Sequence, residues 1–148
     1  MQMHNSSLHD ERTFYLKFLA DLEQCQNEVV IESPFITTDR MRTFDRLFKN
    51  LLEKGVRIYI ITRDPREHDG GYENQSEDAI RWCETLGIHV LLCTGNHHRK
   101  LAILDRKLLW EGSLNILSQA YSREIMRRIN DKELTMEMFN FLKLSKFL

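Results

Sequence analysis

The sequence lacks several features that would assign it to a class at once. Its formal net charge is only −1, so it is not a protein that coats nucleic acid through a large basic excess, and any polyanion must be bound by local clusters of Arg and Lys. Its three cysteines are an odd number without paired spacing. This argues against a disulfide framework and favours a reducing, cytoplasmic location.

Long hydrophobic runs are also missing. No apolar stretch approaches the ~20 residues of a membrane-spanning helix, and the polar N-terminus does not resemble a signal peptide. The chain has 148 residues, of which 42% are hydrophobic, enough to form a core without disulfides or metals. It contains no repeat, low-complexity segment or linker. We therefore expect one soluble domain, residues 1–148, without a membrane association.

Predicted strands and helices alternate through the first 93 residues. This order predicts an α/β fold, a layered α-β-α domain in which helices flank a mostly parallel mixed sheet. The predicted helices lie at about 8–25, 38–54 and 76–86, and the predicted strands at 28–32, 56–61 and 88–93.

The rest of the chain, after residue 93, has a different pattern. Two β runs, about 98–104 and 107–112, are separated by Asp105-Arg106 as in a hairpin. Residues 123–129 alternate weakly and are compatible with a strand or a helix. A C-terminal helix is expected at about 131–147, with a buried stripe of Leu134, Met138, Phe141 and Leu142.

A cluster of polar residues within this part carries the chemistry. His98 and Lys100 lie two residues apart, so in a strand they would project from the same face. An imidazole beside an ammonium group suits a phosphoryl group, because Lys stabilises charge on its oxygens and His can act as nucleophile or acid. Ser113 and Asn115 add neutral donors for phosphate oxygens. Asp105 is expected to orient other groups rather than to attack.

The combined pattern, H-x-K-x4-D at 98–105 followed by G-S-x-N at 112–115, resembles the signature of the phospholipase D superfamily. The match is tight over 98–115 and looser over about 27–130. The resemblance implies that His98 forms a covalent phosphohistidine, that a second histidine protonates the leaving group, and that water releases the product. It implies no metal or other cofactor. It also implies that Glu124, nine residues past Asn115, fixes the tautomer of the histidine.

The family uses two copies of this motif per active site, and the chain has one. The resemblance therefore implies a homodimer that brings two copies of His98 together, as in the small single-motif bacterial endonucleases of the family. His97 is adjacent but faces the wrong way to be the second histidine. Pairing His97 and His98 with Cys93 as a zinc site is disfavoured, because no partner spacing accompanies them.

Two functions compete. The first is a metal-independent phosphodiesterase, a nuclease acting on DNA or RNA; lipid is disfavoured because the chain lacks a basic amphipathic helix. The second is a nucleic-acid-binding or dimerisation module of a larger helicase or nuclease, with little or no catalysis. The intact His98, Lys100 and Asn115 favour the enzyme. Basic residues near the motif either track phosphates or are simply solvated: Arg99, Arg106, Lys107, Arg123, Arg127 and Arg128.

Overall fold

A computed structural model describes residues 5–118 and 121–148. These residues form one mixed sheet of seven strands in the order β1-β7-β6-β5-β2-β3-β4. The strands are β1 Ser6–Asp10, β2 Glu28–Glu32, β3 Arg57–Arg63, β4 His89–Cys93, β5 Leu101–Leu104, β6 Leu108–Gly112 and β7 Ile125–Ile129. The helices are α1 Phe14–Glu23, α2 Thr38–Glu53, α3 Tyr72–Leu86 and α4 Lys132–Phe141, with short 3₁₀ helices at Pro65–Glu67 and Leu144–Phe147.

The predicted α/β class with a mixed sheet is confirmed, but the balance of strand directions differs from the prediction. Among the strands of the described residues, the parallel pairs are β2–β3 and β3–β4, connected by α2 and α3. The pairs β2–β5, β5–β6, β6–β7 and β7–β1 are antiparallel. The cause is the length of the connections: a parallel pair needs a crossover, whereas β5 and β6 are joined by the short turn that begins at Asp105.

Helices cover both faces of the sheet. On one face, α1, α2 and α3 enclose the larger core, which contains the aromatic residues Phe14, Phe18, Phe44 and Phe48. Trp110 is fully buried there, and its ring lies 5.0 Å from that of Phe14. On the other face, α4 covers a smaller core. None of the helices in the described part of the chain is long and apolar enough to cross a membrane.

Element boundaries differ from the sequence prediction at the N-terminus. The first helix begins at Phe14 rather than near residue 8, because Ser6–Asp10 forms a strand that pairs with β7. The carboxylate of Asp10 accepts hydrogen bonds from the backbone of Arg12 and Thr13, at 2.9 and 3.1 Å, and so fixes the turn into α1. The ambiguous segment 123–129 contains strand β7.

The predicted C-terminal helix is also shorter and rotated. It ends at Phe141, since Lys143 adopts a left-handed conformation with φ 54°. The predicted buried stripe is wrong for Leu134, 48% exposed, and Phe141, 80% exposed, but Leu142 is buried and Met138 half-buried. Thr135 and Phe139 are buried instead of the two exposed residues. In the described residues α4 is the one α-helix on its face of the sheet, so nothing covers its outer flank.

Candidate active site

The segment containing His98 and Lys100 lies just before β5 rather than within it. The strand begins at Leu101, three residues later than predicted. Gly112 nevertheless donates a backbone hydrogen bond to the carbonyl of Lys100, at 3.3 Å, which continues the β5–β6 ladder by one residue. The ammonium group of Lys100 donates to the carbonyl of His98 at 2.8 Å, while the His98 side chain is exposed. An exposed imidazole and a nearby ammonium group therefore lie at this end of the sheet.

Lys100 is half-buried, and its environment acts on its charge in two ways. Burial lowers the pKa of the ammonium group, and the negative charge of Glu124 partly raises it again. The fold therefore brings Glu124 into the electrostatic range of the motif. The Glu124 carboxylate itself accepts a hydrogen bond of 2.6 Å from the hydroxyl of Ser122.

In the reaction expected from the sequence, Lys100 acts in its charged form, so these two opposing effects predict the alkaline limb of a pH–activity profile. In Glu124→Gln, the group that raises the pKa of Lys100 is gone while burial remains, so that pKa falls. We expect the loss of kcat/KM on the alkaline side to move to lower pH than in the parent. Glu77→Gln, which removes an exposed carboxylate from α3, is the control. A limb that stays in place or moves to higher pH contradicts the prediction.

The turn after β6 is held by strand β7 and helix α1. The hydroxyl of Ser113 accepts a hydrogen bond of 3.0 Å from the backbone of Ile125 on β7. The hydroxyl of Tyr15 on α1 donates to the carbonyls of Ile116 and Ser118, at 2.8 and 3.2 Å. The buried Oδ1 of Asn115 accepts no hydrogen bond from the described residues. The turn thus has a fixed backbone, and its Asn side chain has unused hydrogen-bonding capacity.

Gly112 leaves no room for a side chain. A Cβ at this position would collide with the carbonyl oxygen of Ile125 and would lie 2.8 Å from Sδ and 2.9 Å from Cα of Met126. We expect Gly112→Ala to lower the free energy of unfolding by about 1–3 kcal/mol, because β6 and β7 must separate to admit the methyl group.

Urea denaturation measures that change. Gly71→Ala is the matched control, because a Cβ at Gly71 meets nothing within 4 Å. We expect the control to change stability by less than about 1 kcal/mol. Equal stability of Gly112→Ala and the parent would contradict the close approach of β7.

Asp105 does not lie with the other candidate residues. The four residues of β5 lie between it and Lys100, so the two are five residue steps apart, a span of about 16 Å at ~3.3 Å per residue. Its carboxylate accepts hydrogen bonds from the backbone N–H groups of Gln26, Asn27 and Glu28, at 2.9, 2.8 and 2.9 Å. These contacts fix the loop that enters β2, so the geometry favours a structural role over the expected role at the site.

Several of the basic residues near the motif are held in ion pairs. Arg128 contacts Asp21 at 2.8 Å, and Arg106 contacts Glu28 at 2.9 Å. Both acids are buried, so these guanidinium groups stabilise the fold by neutralising buried carboxylates. A phosphate track formed by all six basic residues is therefore not supported by the geometry.

Sequence reasoning missed two acidic residues beside the motif. Glu32, at the end of β2, is fully buried and lies 3.0 Å from Nε2 of His97. Glu67, in the 3₁₀ helix after β3, accepts backbone hydrogen bonds from Gly95 and Asn96, at 2.9 and 3.2 Å. Neither residue belongs to a recognisable motif, and only the fold brings them to the segment that contains His98.

His68 and Phe35 form a stacked pair of aromatic rings near this end of the sheet. Their rings stack with centroids 4.8 Å apart. Burial lowers the pKa of His68, and neither of its ring nitrogens has a hydrogen-bond partner among the described residues. Within residues 5–118 and 121–148, no group of three or more His, Cys, Asp or Glu side chains could hold a metal ion.

A family model described as "Cardiolipin synthase, PLD-like domain" matches residues 18–143, a range that includes the whole motif. The chain belongs to the phospholipase D superfamily. The matched range contains His98 and Lys100, just before the start of β5. No curated protein sequence matches the chain significantly.

Solved structures with this phospholipase D fold are similar over nearly the whole chain. NucT from Helicobacter pylori is 20% identical with a TM-score of 0.71, and the match covers 93% of this chain and 92% of NucT. Nuc from Salmonella typhimurium, a phospholipase D family member, is 18% identical with the same TM-score and coverage. TrmBL2, an archaeal chromatin protein with a novel mode of DNA binding, is 15% identical with a TM-score of 0.59, over 98% of this chain and 54% of TrmBL2.

Proposed function

We propose that the protein is a metal-independent nuclease that cleaves DNA or RNA through a phosphohistidine intermediate at a dimeric active site. The observation that carries this proposal is the exposed His98 beside a half-buried Lys100, within a complete superfamily motif. A binding surface alone has no need of an accessible nucleophile. Partial desolvation strengthens the attraction between Lys100 and a phosphate, because the local dielectric is lower than in water.

In the first step, a ring nitrogen of His98 attacks the phosphorus atom. A P–N bond forms, the P–O bond to one nucleoside breaks, and the leaving oxygen takes a proton from the second histidine. Lys100 and the amide of Asn115 stabilise the charge on the phosphoryl oxygens. Ser113 is a further donor to the phosphate if its hydroxyl turns away from Ile125.

In the second step, water attacks the phosphohistidine. The second histidine, now neutral, accepts a proton from the water, the P–N bond breaks, and His98 is regenerated. The negative charge of Glu124 raises the pKa of Lys100 and so favours its charged form in both steps. Its expected role in fixing the histidine tautomer requires a rotation of its carboxylate away from Ser122.

Cleavage of labelled DNA and RNA in the presence of EDTA tests this function. We expect the purified protein to cut at least one of single-stranded DNA, duplex DNA and RNA at an unchanged rate when divalent metals are chelated. Loss of cleavage in EDTA that is restored by Mg²⁺ would overturn the metal-independent mechanism. Binding without any cleavage would favour the second function below.

In the proposed dimer the second histidine comes from another copy of the chain, since residues 1–148 contain one motif. An apolar surface next to the site suits this contact. Leu8 on β1, Ile125 on β7 and Phe141 on α4 are 62%, 64% and 80% exposed. They line one groove, together with the motif residues Lys100 and Gly112 and the charged Arg127 and Glu111. A surface that carries both signs of charge can pair with its own copy across a two-fold axis. We name Leu8, Ile125 and Phe141 the apolar patch.

A charge placed in the apolar patch should separate the dimer. For Phe141→Asp we expect a monomer in sedimentation at micromolar concentration and a loss of cleavage of about 100-fold or more, since each site loses its second histidine. Leu16→Asp is the matched control: Leu16 is 82% exposed on α1, on the other face of the sheet. A parent that is itself monomeric and active would contradict the dimeric site.

One observation favours a second candidate, a nucleic-acid-binding module. TrmBL2 contains the same fold within a longer DNA-binding chain. In that case the protein would bind nucleic acid with equal affinity whether or not His98 is present, and it would release no cleaved product.

A further inference from the structure

The segment that contains His98 lies outside any regular element, so its shape depends on side-chain contacts. Residues 94–100 are neither helix nor strand. Gly95 and Asn96 both have positive φ, 87° and 62°, in a turn that Glu67 holds through its carboxylate. This contact fixes the start of the segment and leaves the orientation of His98 to contacts further along the chain.

Glu32 supplies those contacts. Its carboxylate lies 3.0 Å from Nε2 of His97 and 3.3 Å from Nε of Arg99, the residues directly before and after His98. The Glu32 side chain is fully buried, and the His97 side chain is only 7% exposed. Both distances are short, although the groups are not aligned for regular hydrogen bonds. A buried carboxylate is costly without a partner, so these contacts hold the buried His97 and the half-exposed Arg99 against Glu32.

We infer that Glu32 is a positioning residue for His98. It acts through His97 and Arg99: by contacting both side chains from one side of the segment, it leaves the intervening His98 directed to the other side and restricts the rotation of its backbone. Since this inference rests on the proposed function, its test must separate an inactive protein from a displaced histidine.

Strand β2 contains a matched control. Glu28 lies at the other end of the strand, four residues from Glu32, and is 2% exposed. Its carboxylate binds Nε and Nη2 of Arg106 at 2.9 and 3.1 Å, beyond the far end of β5. Glu28→Gln therefore removes an equally buried carboxylate from the same strand and face without touching the neighbours of His98.

The experiment compares Glu32→Gln and Glu28→Gln at a temperature at which circular dichroism shows both to be fully folded. We expect Glu32→Gln to lower kcat about 10- to 100-fold, the usual effect of a small displacement of a reacting group, with KM within twofold of the parent. Glu28→Gln should change neither constant by more than twofold. Equal kcat values for the two variants would overturn the inference.

Arg99→Gln and Arg106→Gln extend the comparison to the arginine partners of Glu32 and Glu28. Both arginine side chains are partly exposed, so we expect both variants to fold. If Glu32 acts through Arg99, the losses in Glu32→Gln and Arg99→Gln are less than additive in the double variant. Fully additive losses would show that the two residues act separately and would overturn the positioning role.

A second measurement does not depend on turnover. Amide ¹⁵N relaxation in the parent should give order parameters of roughly 0.85 at His97–Lys100, falling below about 0.6 in Glu32→Gln and unchanged in Glu28→Gln. Rigid amides in Glu32→Gln would overturn the inference whether or not the protein cleaves nucleic acid. Conversely, suppose that the parent shows no cleavage while the Glu32→Gln variant shows the expected fall in order parameters. This result would refute the proposed function and leave the positioning role intact.

Discussion

His98→Ala should reduce cleavage by roughly 10⁴-fold or more, because a covalent mechanism has no substitute for its nucleophile. Binding of the same nucleic acid should change by less than threefold, since the His98 imidazole is not among the groups proposed to hold the phosphate. Cleavage of a labelled oligonucleotide and fluorescence anisotropy measure the two effects on one preparation.

His89→Ala is the matched control for this experiment. His89 is also exposed, but it lies at the start of β4, where its ring stacks on Tyr59 with centroids 5.1 Å apart. The control should cut as fast as the parent. If His98→Ala cuts at the rate of the control, the phosphohistidine mechanism is wrong, even though the fold and family are unaffected.

Asp105→Ala should lower the free energy of unfolding by about 3–4 kcal/mol while leaving kcat of the folded protein within twofold. The change removes a charged acceptor from three backbone N–H groups, of which two can turn to water and one is partly buried. It also places Ala at a φ of 53°, which costs about 1 kcal/mol more than Asp.

Asp105→Asn separates these contributions, because Asn tolerates a positive φ and keeps one acceptor oxygen. We expect about half the loss of Asp105→Ala in urea denaturation. A large fall in kcat for the folded Asn variant would place Asp105 in the chemistry, as the motif alone suggests.

The sequence was enough to predict the motif and the alternation of strands and helices in the first 93 residues. His98, Lys100, Ser113 and Asn115 stand out because their types and spacing are rare, and β2, α2 and β3 because their apolar periods are clear. The fold class followed from the same periods.

What could not be read from the sequence depends on distant contacts. Asp105 is part of the motif, yet its partners are backbone groups near residue 27, which no pattern identifies. Glu32 appears as one polar residue at a strand end until the fold places His97 and Arg99 beside it. Phe141 belongs to an apolar stripe of the kind that normally indicates a core, and only the position of α4 shows that this side chain is exposed.

The pairing of β2 with β5 has a consequence for how the site is assembled. Val29 and Leu104 face each other across this pair, although half of the chain lies between them in sequence. Closing so long a loop is slow, because its entropy must be lost before the new contacts form. The contacts of Glu32 with Arg99 and of Asp105 with the start of β2 both cross this boundary. A refolding chain should therefore gain helical structure early and activity last, when β5 joins β2.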